Sequence, residues 1–318
     1  MINYFSQLIG GVFIMRSDPR VAQIVSDSGA YSDKEPLLLA SGKIGIYYSN
    51  TELTLRDGNA YKKHENDSLA MLNYALEREF AEPTFAEIID ALTERVKPLL
   101  SDRYEEVAIA GGQTRDWLFS GPVAARLAIP HISLYKDGKI ELIYGPGEAE
   151  LEPRLRKSYA VHIGDLITSG SSTYSPLENP STGWVPMLRA AGVTVDNSFT
   201  VVSRLQGGEE NLAQGNVQSN SLVFIDEDFL RKHSKNPERA VAYKKDPDAW
   251  SEQYLRENGA LAFIANFDPN GKNLVRARRF LEHHSHILKD AGRMKGLEAA
   301  VLEQFGKPLD EIVVVGGK

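Results

Sequence analysis

The sequence predicts an α/β protein with a mostly parallel central sheet flanked by helices, and three observations carry that expectation. Strand-like runs alternate with amphipathic helical runs between residues 66 and 232. The runs are apolar on both faces, as Val161, Ile163, Leu166 and Ile167 illustrate, which suits strands covered on both sides. Two of the runs then empty into glycine-rich or hydroxyl-rich turns, the form a ligand site takes at a strand end in such sheets.

The elements follow in order. Residues 67–80 predict a helix with Leu69, Leu72, Leu76 and Phe80 on one face, and Thr84 with Glu87 forms a capping box that opens the next. Residues 106–110, 131–135, 158–163 and 198–203 read as core strands. A helix is expected from Pro122 through Leu127, since proline favours a first helical position, and another over 184–191, stopped by Gly192. Residues 219–230 give a last strand and a short helix. Beyond them, 247–258, 273–291 and 294–305 predict three helices.

The run 159–172, Tyr-Ala-Val-His-Ile-Gly-Asp-Leu-Ile-Thr-Ser-Gly-Ser-Ser, carries the most chemistry. Gly170 frees the backbone so that successive N–H groups can converge on an anion, and Thr168, Ser169, Ser171 and Ser172 add hydroxyl donors. Asp165 repels a phosphate. It suits sugar hydroxyls, whose hydrogen bonds it accepts, or a divalent cation. Val107 through Arg115 reads as a strand ending in a Gly111-Gly112 turn that presents a cation, and Arg204 follows another strand just ahead of Gly207-Gly208. A guanidinium offers a planar fork that matches a carboxylate or phosphate at two points.

Residues 165–172 resemble the phosphoribosyl pyrophosphate (PRPP) motif of type I phosphoribosyltransferases. Three further segments narrow the resemblance to orotate phosphoribosyltransferases: 37–50 with Ser41-Gly42-Lys43 and Tyr47-Tyr48, 201–209 with Arg204, and 219–230. The resemblance implies the type I phosphoribosyltransferase fold, with an N-terminal region and hood at 1–65, the core at 66–232 and a helical C-terminal extension at 233–318. It implies PRPP binding by Arg115, Asp165, Leu166, Ile167, Thr168, Ser169, Gly170, Ser171 and Ser172. It gives base binding to Arg204, Thr168 and Tyr48, and catalysis to Lys136, Lys139 and Asp165. The implied reaction transfers ribose 5-phosphate from PRPP to orotate, giving orotidine 5′-monophosphate and pyrophosphate. Mg²⁺ is then held mainly through PRPP, and the catalytic loop reaches across a homodimer. The sequence departs from the family at five places. Gly164 replaces the first of two adjacent acids, and Arg115 a lysine. Tyr135 and Glu141 replace an arginine and a histidine of the catalytic loop, and Ala40 a hood lysine, with Lys43 three residues on. Arg154, Arg156 and Lys157 stand at the far end of that loop as alternative cations. These departures keep two other readings open: a phosphoribosyltransferase for another base, or a non-catalytic protein that senses PRPP or a nucleotide.

Composition sets the remaining bounds. The 318 residues, 42% hydrophobic, supply ample core, and the net charge of −7 argues against a nucleic-acid partner. The chain has no cysteine, which rules out disulfides and thiolate metal sites and suits a cytoplasmic enzyme. No apolar run is long enough to span a bilayer. His283, His284 and His286 do not make a metal site, because only His283 and His286 share a helical face and no fourth ligand is near in sequence. Residues 145–150 lack the third glycine of a dinucleotide fingerprint, and no nucleotide P-loop is present.

Overall fold

The computed structural model describes residues 8–9, 12–13, 16–39, 41–100, 106–145, 148–151, 158–176 and 182–313. Two compact units emerge, one from Met1–Tyr31 with Ser49–Phe229 and the other from Ser32–Tyr48 with Leu230–Lys318. The segment assigned from sequence to an N-terminal hood is therefore divided, and residues 32–48 join the C-terminal helices. Ala40, Arg154, Arg156 and Lys157 lie outside the described residues.

Strands β1 (Leu8–Ile9) and β2 (Val12–Phe13) pair antiparallel ahead of helix α1 (Pro19–Asp27). Asp18 caps α1 by accepting from the N–H groups of Arg20 and Val21. Strands β3 (Tyr31–Leu38) and β4 (Ile44–Ser49) form a two-stranded sheet, and short 3₁₀ turns follow at Thr51–Leu55 and Ala60–His64.

Helix α2 (Ser68–Ala81) is capped by Asp67 and buries Ser68, Met71, Leu72 and Ala75. The expected leucine face is thus offset: only Leu72 of that set is buried, and Phe80 is 95% exposed. The small residues Ser68 and Ala75 let the backbone approach its neighbours, and Leu69 and Leu76 are left half-buried. Helix α3 (Pro83–Val96) starts one residue before the expected capping threonine, because Pro83 takes the first helical position, where its missing N–H costs nothing.

The sheet begins with β5 (Glu106–Gly112), followed by α4 (Asp116–Leu127) and β6 (His131–Leu134). Helix α4 starts six residues before the expected position, and Pro122 lies inside it. Burial from Trp117 to Ala124 overrides the proline signal. Two antiparallel strands, β7 (Ile140–Gly145) and β8 (Glu148–Leu151), extend one edge. Strand β9 (Ser158–Ile167) is longer than predicted and carries Gly164 and Asp165 within it. Helix α5 (Trp184–Ala190), β10 (Asn197–Ser203), α6 (Gly208–Gln214), β11 (Gln218–Phe224) and α7 (Glu227–His233) complete the α/β succession.

The seven strands lie in the order β11-β10-β9-β5-β6-β7-β8, and the five from β11 to β6 are parallel. From β5 the chain crosses to β6 on one side, and from β9 to β10 on the other. Adjacent strands that depart in opposite directions leave a crevice at their carboxyl ends, the usual ligand position in such sheets. Two buried histidines bond differently: His131 lies between Ser120 Oγ and Ser133 Oγ and is satisfied at both ring nitrogens, whereas His162 is bonded at Nδ1, 2.9 Å from Ser198 Oγ.

In the second unit, α8 (Pro237–Lys245), α9 (Pro247–Asn258), α10 (Leu274–Asp290), α11 (Met294–Phe305) and α12 (Leu309–Ile312) surround Phe263, Phe267 and Phe280, all fully buried. Leu38 and Ile44 enter the same core, and the Tyr243 hydroxyl donates to the Ile44 carbonyl at 2.8 Å. These contacts explain why the β3–β4 pair belongs with the helices. Lys43 is ion-paired to Asp248 at 3.0 Å in this unit. His284 is buried and packs its ring against Phe280.

Candidate functional site

The crevice at the carboxyl ends of β5 and β9 opens into a cleft of about 510 Å³. One wall is the turn after β5, residues 113–115, where the Gln113–Thr114 peptide is cis. Gly112 is required here, because a Cβ on it would lie 2.1 Å from the Trp184 ring. The other wall is the hydroxyl-rich turn after β9. Gly170 adopts φ +73° there, and its carbonyl accepts from the N–H groups of Thr173 and Tyr174. Among the described residues, Thr168, Ser172, Leu166, Asp165, Arg115 and Lys136 all line the cleft, so most of the predicted PRPP and catalytic residues come together. Ile167 is buried beneath them, and Ser169 and Ser171 are exposed with their hydroxyls 3.4 Å apart.

Asp165 sits at the base of the cleft and is already engaged. Its Oδ2 accepts from the Thr51 hydroxyl at 2.7 Å and lies 3.3 Å from Arg115 Nε. Arg115 also reaches Glu52 at 3.1 Å, and Glu52 accepts from the Tyr61 hydroxyl at 3.1 Å. Burial pushes the Asp165 carboxyl above the ordinary aspartate range, against the opposing pull of Arg115 and Thr51. Thr51 and Glu52 had no signal in the sequence. They come from a 3₁₀ turn more than sixty residues from Arg115, a pairing that only the fold creates.

Asp116 was missed as well. It opens α4, accepts at Oδ1 from the Asp165 N–H at 3.0 Å and at Oδ2 from the Gly112 N–H at 3.2 Å, and lines the cleft. Burial and the neighbouring Asp165 charge push its carboxyl up to about 8. Its sequence signal was an acid at the start of a helix, obscured by placing that start at Pro122.

A pH dependence of stability follows. The folded chain holds a proton on Asp116 that an unfolded aspartate, at about 3.8, has released, so this group's contribution falls as pH rises from about 4 through about 8. His131 and His162, lowered by burial to about 3 and about 4, oppose it only below about pH 6.5, where the unfolded histidines take up protons. Urea unfolding should therefore give roughly 1 kcal/mol less stability at pH 8 than at pH 6.5. Asp116→Asn should abolish the difference, and equal wild-type stabilities at the two pH values would count against the assignment.

The predicted catalytic loop begins as a tight turn instead. The Tyr135 N–H donates to the Lys139 carbonyl at 3.0 Å, and the chain returns along β7. Glu141, at the position of a family histidine, is buried and accepts from the Ser68 hydroxyl at 2.7 Å, the Tyr135 hydroxyl at 2.5 Å and Lys139 Nζ at 2.6 Å. Burial alone would raise its carboxyl, but these donors hold it below the usual range. Lys139 also lies 4.4 Å from the centre of the Tyr135 ring. Lys136 is exposed and faces the cleft, whereas Lys139 is tied into this network.

Arg204 follows β10, where its N–H donates to the Ile167 carbonyl at 3.0 Å. It is 8% exposed and is not among the residues that line the cleft. Tyr48 belongs to the second unit and is 42% exposed. Among the described residues, no group of three or more His, Cys, Asp or Glu is arranged to hold a metal, and no helix is long and apolar enough to cross a membrane.

No family model and no curated protein matches the chain. Its structural neighbours are phosphoribosyltransferases. The orotate phosphoribosyltransferase of Aeropyrum pernix is 22% identical, with a TM-score of 0.45 over 67% of this chain and 98% of that one. UMP synthase of Leishmania donovani is 18% identical, with a TM-score of 0.42 over 73% of this chain and 42% of that one. The adenine phosphoribosyltransferase of Trypanosoma brucei is 14% identical, with a TM-score of 0.42 over 70% of this chain and 87% of that one.

Proposed function

We propose that the cleft binds PRPP and transfers its ribose 5-phosphate to a ring nitrogen of a base, releasing pyrophosphate. One observation carries the reading: an acid, a guanidinium and a hydroxyl-rich turn converge where β5 and β9 diverge. Thr168, Ser172 and the backbone of their turn suit the 5′-phosphate. Asp165 suits a ribose hydroxyl, and the cations Arg115 and Lys136 in the cleft lining suit the negative charge that grows as pyrophosphate departs. The work is positioning and electrostatics, with no covalent intermediate required. A Mg²⁺ would be held chiefly by PRPP oxygens, the hard ligands such a cation prefers. When bound, the ion would neutralise charge on the leaving group.

Orotate is the acceptor the sequence motifs favour, with Arg204 as reader of its carboxylate. The cleft itself favours a second acceptor class. Glu52 and Glu65 stand in its wall and Arg204 does not, an arrangement suited to a base that offers N–H donors. Incubation with PRPP, Mg²⁺ and a panel of bases decides. Pyrophosphate release with orotate supports the first, and release only with an amino-bearing base supports the second. PRPP binding without release points to a non-catalytic sensor. Arg204→Ala should lower kcat/KM for orotate about tenfold, the loss of one charge-assisted contact. Unchanged orotate use would sink its role as reader. A homodimer belongs to the same proposal, and sedimentation velocity tests it.

A further inference from the structure

Strand β9 presents one carboxylate to the cleft, because Gly164 precedes Asp165 without a side chain. The space beside Gly164 is nevertheless occupied. A Cβ built there would lie 3.4 Å from Asp116 Oδ1, 3.3 Å from Thr200 Cγ2 and 3.5 Å from His162 Cε1. The carboxyl group of Asp116, carried by the first turn of α4, thus lies against the strand at the residue before Asp165.

Three observations fix this carboxyl group and aim it. Its oxygens accept from the backbone N–H groups of Asp165 and Gly112, which tie it to the ends of both diverging strands. Each oxygen of the carboxyl group keeps hydrogen-bonding capacity beyond its one backbone bond, as acceptor or through its proton, which leaves room for a ligand hydroxyl. The side chain is 15% exposed and lines the cleft, so it meets the ligand space directly. Behind it, His162 Nε2 lies 3.8 Å from Asp116 Oδ2, fully buried and without a hydrogen bond among the described residues.

We propose that Asp116 is the second carboxyl group of the ribose site, delivered from helix α4 to the place that Gly164 leaves empty on the strand, so that Asp165 and Asp116 together hydrogen-bond the sugar hydroxyls. The inference rests on the PRPP reading and names the group that grips the sugar. Its backbone bonds give Asp116 a structural duty as well, so the test separates sugar contact from scaffolding.

Affinities for ribose 5-phosphate, its 2-deoxy and 3-deoxy analogues and inorganic pyrophosphate are measured by calorimetry for wild type and Asp116→Asn. Wild type should bind ribose 5-phosphate about tenfold more tightly than at least one deoxy analogue, as loss of a hydrogen bond to a charged group implies. In Asp116→Asn the preference over one of the two deoxy analogues should fall, the preference supplied by Asp165 remaining, while pyrophosphate affinity stays within about twofold. A parallel fall in pyrophosphate affinity would make Asp116 a scaffold only, and preferences over both analogues unchanged from wild type would remove it from the sugar site. Either result overturns the inference. A wild type that binds neither ribose 5-phosphate nor pyrophosphate overturns the PRPP reading itself. Should Asp116→Asn fail to fold, Gly164→Ala places a methyl group 3.4 Å from Asp116 Oδ1 and carries the same expectation in smaller size.

Discussion

Asp165→Asn is expected to lower kcat/KM for PRPP by on the order of 10²–10³-fold, equivalent to about 3–4 kcal/mol of lost transition-state stabilisation, with the fold retained. The substitution is isosteric, so packing at this buried position is kept. What changes is the hydrogen-bond chemistry: a carboxylate accepts at both oxygens, whereas the amide accepts at one and donates at the other. The Thr51 hydroxyl can still donate to the amide oxygen from its 2.7 Å position, but the charge opposite Arg115 is gone. A ribose hydroxyl would meet a neutral acceptor or a competing donor. As the ribose gains oxocarbenium character, the nearby negative charge that favours it is also lost. Steady-state rates of pyrophosphate release at saturating base measure the effect, with thermal unfolding as the control for folding. A loss smaller than about fivefold would remove Asp165 from the reaction.

The parts of the site that sequence made legible are those built from one strand and its following turn. Asp165, Thr168 and Ser172 are close in the chain, and the pattern of apolar strand, acid and hydroxyls places them without knowledge of the rest. Arg115 was equally readable from its glycine turn. Pairs made across the fold were not. Thr51 bonding Asp165 and Glu52 bonding Arg115 depend on how a 3₁₀ turn lies over the sheet, and neither residue has a local pattern that marks it. Glu141 shows a different limit. At the position of a family histidine it reads as a lost catalytic group, yet the structure makes it the acceptor for Ser68, Tyr135 and Lys139. Tyr135 and Glu141, both departures from the resembled pattern, are hydrogen-bond partners of one another. Domain membership was also hidden. Nothing local says that Leu38 and Ile44 bury with Phe263 and Phe280, more than two hundred residues away.

Arg115→Ala should reduce kcat/KM by about 10²–10³-fold and also move the acid limb of its pH profile to higher pH. Two effects combine. The first is loss of the fork: Arg115 offers several N–H groups in one plane, suited to phosphate oxygens that gain charge as pyrophosphate leaves. The second acts through Asp165. Burial raises the Asp165 carboxyl and Arg115 pulls it down, so removing the guanidinium raises it further. At a given pH less Asp165 is then ionised, and activity that requires its carboxylate appears only at higher pH. Glu52, 3.1 Å from Arg115, loses its cation too and adds like charge to the same corner. Arg115→Lys separates the contributions. It keeps a positive charge near Asp165, so the acid limb should stay near its wild-type position, while loss of the planar fork costs about tenfold in rate. Profiles of kcat/KM between about pH 5 and 9 for wild type and both variants give the answer. If the alanine variant loses rate with an unmoved acid limb, Arg115 acts on the leaving group alone, and the ion pair with Asp165 has no part in tuning the acid.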